Sequence, residues 1–273
     1  MTPAGVLSTL LQRSFARAAG VLAAVAAVLA AFQVLLVLAA ASFEQSRSFD
    51  MVAALIQMFL QRSLGAGTRT LASFSGMVTF GYFHPVLVLA VVQVGIFLAT
   101  EPAGEVEWGL FDLELARPVA RHWVVTRSAA LAFGSTAAVV GVMMLGTWGG
   151  LAAFAPAGAA GPSRPAILSL AAHLTFLAWS FAAAGLAVAS TARRRGPAFA
   201  GTALGAVILY LLNYLGDVWA PAARFRWVSP FHYFPGFSAA NGSAPLAHDL
   251  AILAIPVVAC TLLAYWRFNR RDL

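Results

Sequence analysis

The chain has 273 residues, 61% of them hydrophobic and only 10% charged, with a mean hydropathy of +0.83, which places it outside soluble globular composition. Its net charge of +7 comes from 17 basic residues, all of them arginine, so it has neither a P-loop lysine to contact nucleotide phosphates nor a lysine for Schiff-base chemistry. The lone cysteine, Cys260, excludes an internal disulfide and a thiolate metal cluster.

The arginines stand at the ends of apolar runs, as snorkelling and orientation signals do, and not in a patch shaped for nucleic acid. The N-terminus reads as a short amphipathic helix: Val6, Leu7, Leu10 and Leu11 recur at helical spacing, with Gln12, Arg13 and Arg17 on the other side. Residues 18–42 are apolar except for Gln33, enough for a bilayer core that needs about 20 helical residues. Arg13 and Arg17 before this run and Ala39, Ala40 and Ala41 at its end also suit a cleavable signal. The run exceeds the roughly 7–15 residues of a signal's apolar region, which favours a retained span.

Residues 43–71 are mixed, with an apolar stripe (Met51, Val52, Leu55, Ile56, Phe59, Leu60) too short to cross and expected at the interface. A second span follows at 71–100, with a kink expected at His84-Pro85. A charged segment, 101–127, separates it from the third span at 128–155. A Pro- and Gly-rich connection leads to the fourth span at 166–192, and the Arg193-Arg194-Arg195 turn leads to the fifth at 198–219. An aromatic loop, 220–249, precedes a short sixth span at 250–266. The expected fold is thus an all-α polytopic membrane protein forming one transmembrane domain. It has six transmembrane helices, an N-terminal amphipathic helix and a helix on the N-terminal side between spans 2 and 3.

Counting arginines on alternate sides gives 11 on the side of the termini and 6 on the other. By the positive-inside rule both termini, and with them segment 101–127, are cytoplasmic. That segment holds five of the ten acidic residues. On a helix over 107–115, Trp108, Phe111 and Leu115 share one face and Leu110 and Leu113 lie roughly opposite, flanked by Glu107 and Glu114 and by Asp112. Such a helix packs on its own bundle with one face and offers apolar anchors to a soluble partner with the other. An interfacial helix resting on headgroups is the alternative, although its acidic flank does not suit anionic lipid.

Segment 101–121 resembles the signature between spans two and three of ABC-2 type transporter permeases. In that family an acidic residue, a Gly-Thr pair and a leucine-rich turn lead to Pro-Val-Ser-Arg. Here Gly109-Leu110 and Pro118-Val119-Ala120-Arg121 stand at those places. The six-span layout, the Arg-Arg-Gly-Pro turn at 194–197 and Ser229-Pro230-Phe231 before the last span are also similar. The resemblance implies a membrane-spanning permease of the bacterial inner membrane, an exporter. It would act as a homo- or heterodimer with a second permease copy, surrounded by membrane lipid, and bind two copies of an ABC-type ATP-binding subunit. No nucleic acid is implied. ATP and Mg²⁺ would reside on the partner; this chain would bind no cofactor or metal and would not itself be an enzyme. The 101–127 segment would be the coupling helix, with Glu105, Glu107, Trp108, Phe111, Glu114 and Leu115 at the partner interface.

Polar residues at membrane depth are the remaining candidates. His84, Asn213 and Asp217 are candidates for a substrate path; His84 also suits capping of carbonyls freed at the kink, and Asp217 a place at the interface. Gln33 suits a hydrogen bond between helices, and His173 a buried structural role. No H-x-x-H or H-E-x-x-H pattern supports a metal site. The aromatics of 221–242 suit an interfacial belt or, as the resemblance implies, an outer gate. Two other function classes stay open: a polytopic membrane enzyme acting on lipid or peptide, and a membrane anchor or scaffold for a soluble partner. The first lacks Gly-x-Ser-x-Gly and a second acid near Asp217.

Overall fold

The computed structural model describes residues 3–46, 73–109, 122–234, 236 and 246–270. Six of its helices are long and apolar enough to cross a membrane, and no strand occurs among the described residues. The chain is therefore a multi-pass helical membrane protein.

Helix α1 runs unbroken over Pro3–Gln45. The expected interfacial helix is not separated from the first span, because only Pro3, where a missing N–H costs nothing, and two glycines, Gly5 and Gly20, interrupt this alanine- and leucine-rich stretch. The second span is two helices, α2 (Phe74–Phe83) and α3 (Pro85–Ala99). His84 joins them in an extended conformation (ψ 123°), as proline imposes on the residue before it. Helix α4 (Glu101–Glu107) turns off the end of α3, and α5 (His122–Phe154) is the third span. Helix α6 (Arg164–Ala189) begins with Ser163 accepting from the Ala166 N–H and with proline in its first turn. Helices α7 (Arg195–Val218) and α9 (Leu246–Asn269) complete the six; between them lie α8 (Ala220–Ala223) and two single 3₁₀ turns, Arg226–Val228 and Pro230–Tyr233. The sixth span is longer than the expected 250–266, and Pro256 lies inside it.

Helix α6 is the centre of the bundle, with α3, α5, α7 and α9 packed around it. Polar side chains stitch the core: Tyr82 Oη meets Thr147 Oγ1 at 2.9 Å, Trp179 Nε1 donates to the Phe133 carbonyl at 2.9 Å, and Ser180 Oγ donates to the Leu253 carbonyl at 3.0 Å. Between α1 and α5 the contact is backbone-close. A Cβ on Gly146 would come within 2.8 Å of the Ala30 Cα, the small-residue seam by which helices associate where lipid removes the hydrophobic drive. The outward faces of α1, α7 and α9 are apolar and exposed. On α1, Val21, Val28 and Leu35 recur every seven residues at 56%, 64% and 60% exposure.

Segment 219–234 does not stay at the surface. Ser229 Oγ donates to the Leu209 carbonyl (2.8 Å), about nine residues, roughly 13 Å, below the end of α7. Phe231 is buried, its ring 5.2 Å from Phe181 and 5.3 Å from Tyr210. The loop is re-entrant. Phe225 and Trp227 stay exposed, so the aromatic segment divides between an outer rim and a wedge inside the bundle.

Candidate functional site

The charged segment after the second span folds against its own bundle. Helix α4 starts with Pro102 in its first turn and ends at Trp108, whose N–H reaches back to the Gly104 carbonyl. Gly109 follows at φ 63°, the left-handed conformation that glycine adopts without strain. The expected helix over 107–115 therefore does not begin at Glu107: one helix ends there. Phe111, Glu114 and Leu115 lie outside the described residues, as do Arg117 and Arg121.

Glu101, Ala103 and Glu105 of α4 are buried. Ala103 packs with Ala189 and Ala198, so small side chains on α6 and α7 let the polar helix come close. Its acids then meet arginines from three other helices. Arg127, on α5, is 1% exposed in its side chain and donates through Nη2 to Glu105 Oε2 at 2.5 Å; the Glu105 side chain is 3% exposed. Arg17, on α1, lies 3.4 Å from Glu101 Oε1 and 3.8 Å from Glu105 Oε1. The backbone N–H of Arg195, at the start of α7, donates to Glu107 Oε2 at 2.9 Å. Its Nη2 donates to the Phe97 carbonyl at 2.8 Å, with the guanidinium 4.1 Å above the Phe97 ring.

These contacts engage Glu105, expected at a partner interface, within its own chain. A carboxylate taken out of water needs a cation and further hydrogen bonds, and Arg127 supplies them from within the chain. Glu107 is exposed but engaged by Arg195. Trp108 is 79% exposed and stands free to meet another molecule. Sequence reasoning missed Arg17, Arg127 and Arg195 as the acids' partners. The available signal was three acids and three arginines at the same end of neighbouring spans.

The membrane-depth candidates are not brought together. His84 sits between aromatic rings, 5.0 Å from Phe80 and 5.9 Å from Phe32, and its Nδ1 has no hydrogen-bond partner, so it does not cap the kink through that atom. Asp217 is half-exposed and bonded to Arg226 at 2.9 Å, which ties the re-entrant segment to the end of α7. Asn213 lies one turn away with its Oδ1 unpartnered. Gln33 is fully buried with neither amide atom hydrogen-bonded, so the expected interhelical bond is not made. His173 is buried, its Nδ1 2.7 Å from the Ser169 carbonyl, in keeping with a structural role.

Outside the spans, His232 has its pKa lowered from 6.5, first by desolvation and then by Arg226, against the opposing pull of Asp217 and Asp249. No group of three or more His, Cys, Asp or Glu that could hold a metal occurs among the described residues. Compared with known proteins, the chain matches no family model and no curated sequence.

Proposed function

We propose that this chain is the membrane-spanning permease subunit of an ATP-driven ABC-2 type exporter in the bacterial inner membrane, with both termini cytoplasmic. In this reading the chain pairs with a second permease and with two ATP-binding subunits that carry ATP and Mg²⁺. The observation that carries it is the turn at 101–109. It lies between the second and third spans, its acids are tied to α1, α5 and α7, and it leaves Trp108 79% exposed. A soluble subunit pressing on Trp108 would move a helix linked by charge to three spans. Such a link transmits partner state only if the partner binds two arrangements of the bundle with different affinity. The sequence resemblance of 101–121 supports the same reading.

The test is co-purification from native membranes in mild detergent, with ATPase activity measured in the eluate. The wild-type chain should bring down a P-loop ATPase. The Trp108→Ala/Phe111→Ala/Leu115→Ala variant should lose it while remaining monodisperse. Recovery of the folded wild-type chain without any ATPase would overturn the proposal and favour a membrane enzyme or scaffold.

A further inference from the structure

Beside the ionic cluster are two adjoining cavities. The first, about 190 Å³, is lined by Ser14, Arg17, Phe97, Glu101, Glu105 and Arg195 among others, several times the roughly 30 Å³ of one water. The second, about 240 Å³, runs on from it along Val21, Leu22, Val94 and Phe199, and shares Ala18, Phe97 and Leu98 with the first. Its lining is apolar apart from Gln93. The pair forms one slot between α1 and α7, charged at the membrane end and oily along the spans.

The charged part carries unmet hydrogen-bonding capacity. Ser14 is 1% exposed and its Oγ has no partner; Glu101 Oε2 and Arg195 Nε are likewise buried without partners. Buried polar atoms of this kind are normally satisfied. Two arginines and two glutamates line the cavity, so a zwitterion complements its balance of charge better than an anion does.

We propose that this slot holds a resident zwitterionic aminophospholipid. Its phosphate lies between Arg17 and Arg195, its ammonium donates to Glu101 Oε2 and Ser14 Oγ, and one acyl chain follows Val21, Leu22, Val94 and Phe199. Guanidinium groups suit phosphate oxygens geometrically. A primary ammonium offers N–H donors that a choline headgroup lacks. Phosphatidylglycerol would satisfy the arginines but leave Glu101 facing a hydroxylated, net-anionic group. The site is independent of the transport reading, since it needs only the geometry of α1, α3, α4 and α7.

The experiment is native mass spectrometry of the full chain released from detergent, titrated with phosphatidylethanolamine, phosphatidylcholine, phosphatidylglycerol and free phosphoethanolamine. Phosphatidylethanolamine should bind one per chain, about ten-fold tighter than the other two lipids, the value of one charge-assisted hydrogen bond. Free phosphoethanolamine, without the acyl chain, should bind far more weakly than the lipid. Glu101→Gln should abolish the preference for ethanolamine over choline. Because that change touches an ion pair, Val21→Trp, at a 56% exposed position, provides a variant that blocks the apolar slot without disturbing the charges; it should lose the retained lipid while staying folded. Equal affinity for the three lipids, unchanged retention in Val21→Trp, or a dimer that buries Val21 and excludes lipid would each overturn the assignment.

Discussion

Replacing Arg127 by methionine isolates the energetics of the ionic cluster. The Glu105 carboxylate would stay 3% exposed and lose its 2.5 Å partner, while Arg17 lies farther off at 3.8 Å and is half-exposed. Removing one member of a buried pair costs about 3–5 kcal/mol, because the remaining charge stays desolvated. The Arg17–Glu101 pair, with the arginine side chain 47% exposed, falls in the range of surface pairs at up to about 1 kcal/mol. So Arg127→Met should destabilise the bundle several times more than Arg17→Met. Glu105→Leu/Arg127→Met should recover much of the loss, since two apolar side chains of similar volume can replace a buried ion pair at little cost. Heating detergent-solubilised protein in steps and measuring the monodisperse fraction by gel filtration gives the order of the three variants. Equal loss for Arg17→Met and Arg127→Met, or no recovery in the double variant, would refute the reasoning.

Three further outcomes are expected. Gly146→Leu should destabilise by at least ~2 kcal/mol, because the side chain would be driven into the Ala30 backbone; the same heat-step assay reads it. Trp108→Ala should leave thermal stability unchanged, since the indole is 79% exposed, and should weaken only partner capture. The His232 effect has a definite sign: with its folded pKa below the ordinary 6.5, the unfolded or opened segment binds the proton first as pH falls. Stability of the re-entrant segment is therefore complete above pH 6.5 and declines as pH drops below it. Protection factors across 226–234, corrected for the pH dependence of intrinsic amide exchange, should fall on acidification, and His232→Gln should flatten that dependence.

The spans were legible because each is a long apolar run, and the kink at His84-Pro85 because proline restricts its predecessor. The end of α4 was not. A helix over 101–107, closed by Gly109, does not stand out in the pattern, and only the burial of Glu101 and Glu105 against neighbouring helices decides it. Pairing was legible only as a gathering of acids and arginines at one end of neighbouring spans; that Glu105 meets an arginine 22 residues away and Glu107 an amide 88 away was not. The aromatic loop reads the same whether it rings the surface or dips inside. Ser229 decides it only once Leu209 is seen beside it.

The ionic cluster also has an order in time. A chain inserted from its N-terminus presents Arg17 first, then Glu101 and Glu105, then Arg127, and Arg195 last. Until α5 is in the membrane, Glu105 lacks the buried Arg127 guanidinium, and taking its carboxylate out of water costs more. Its docking must wait for α5, and its attachment to α7 through Glu107 must wait longer still. On this order of insertion the acids of α4 would close that end of the bundle only once α5 and α7 stand beside it.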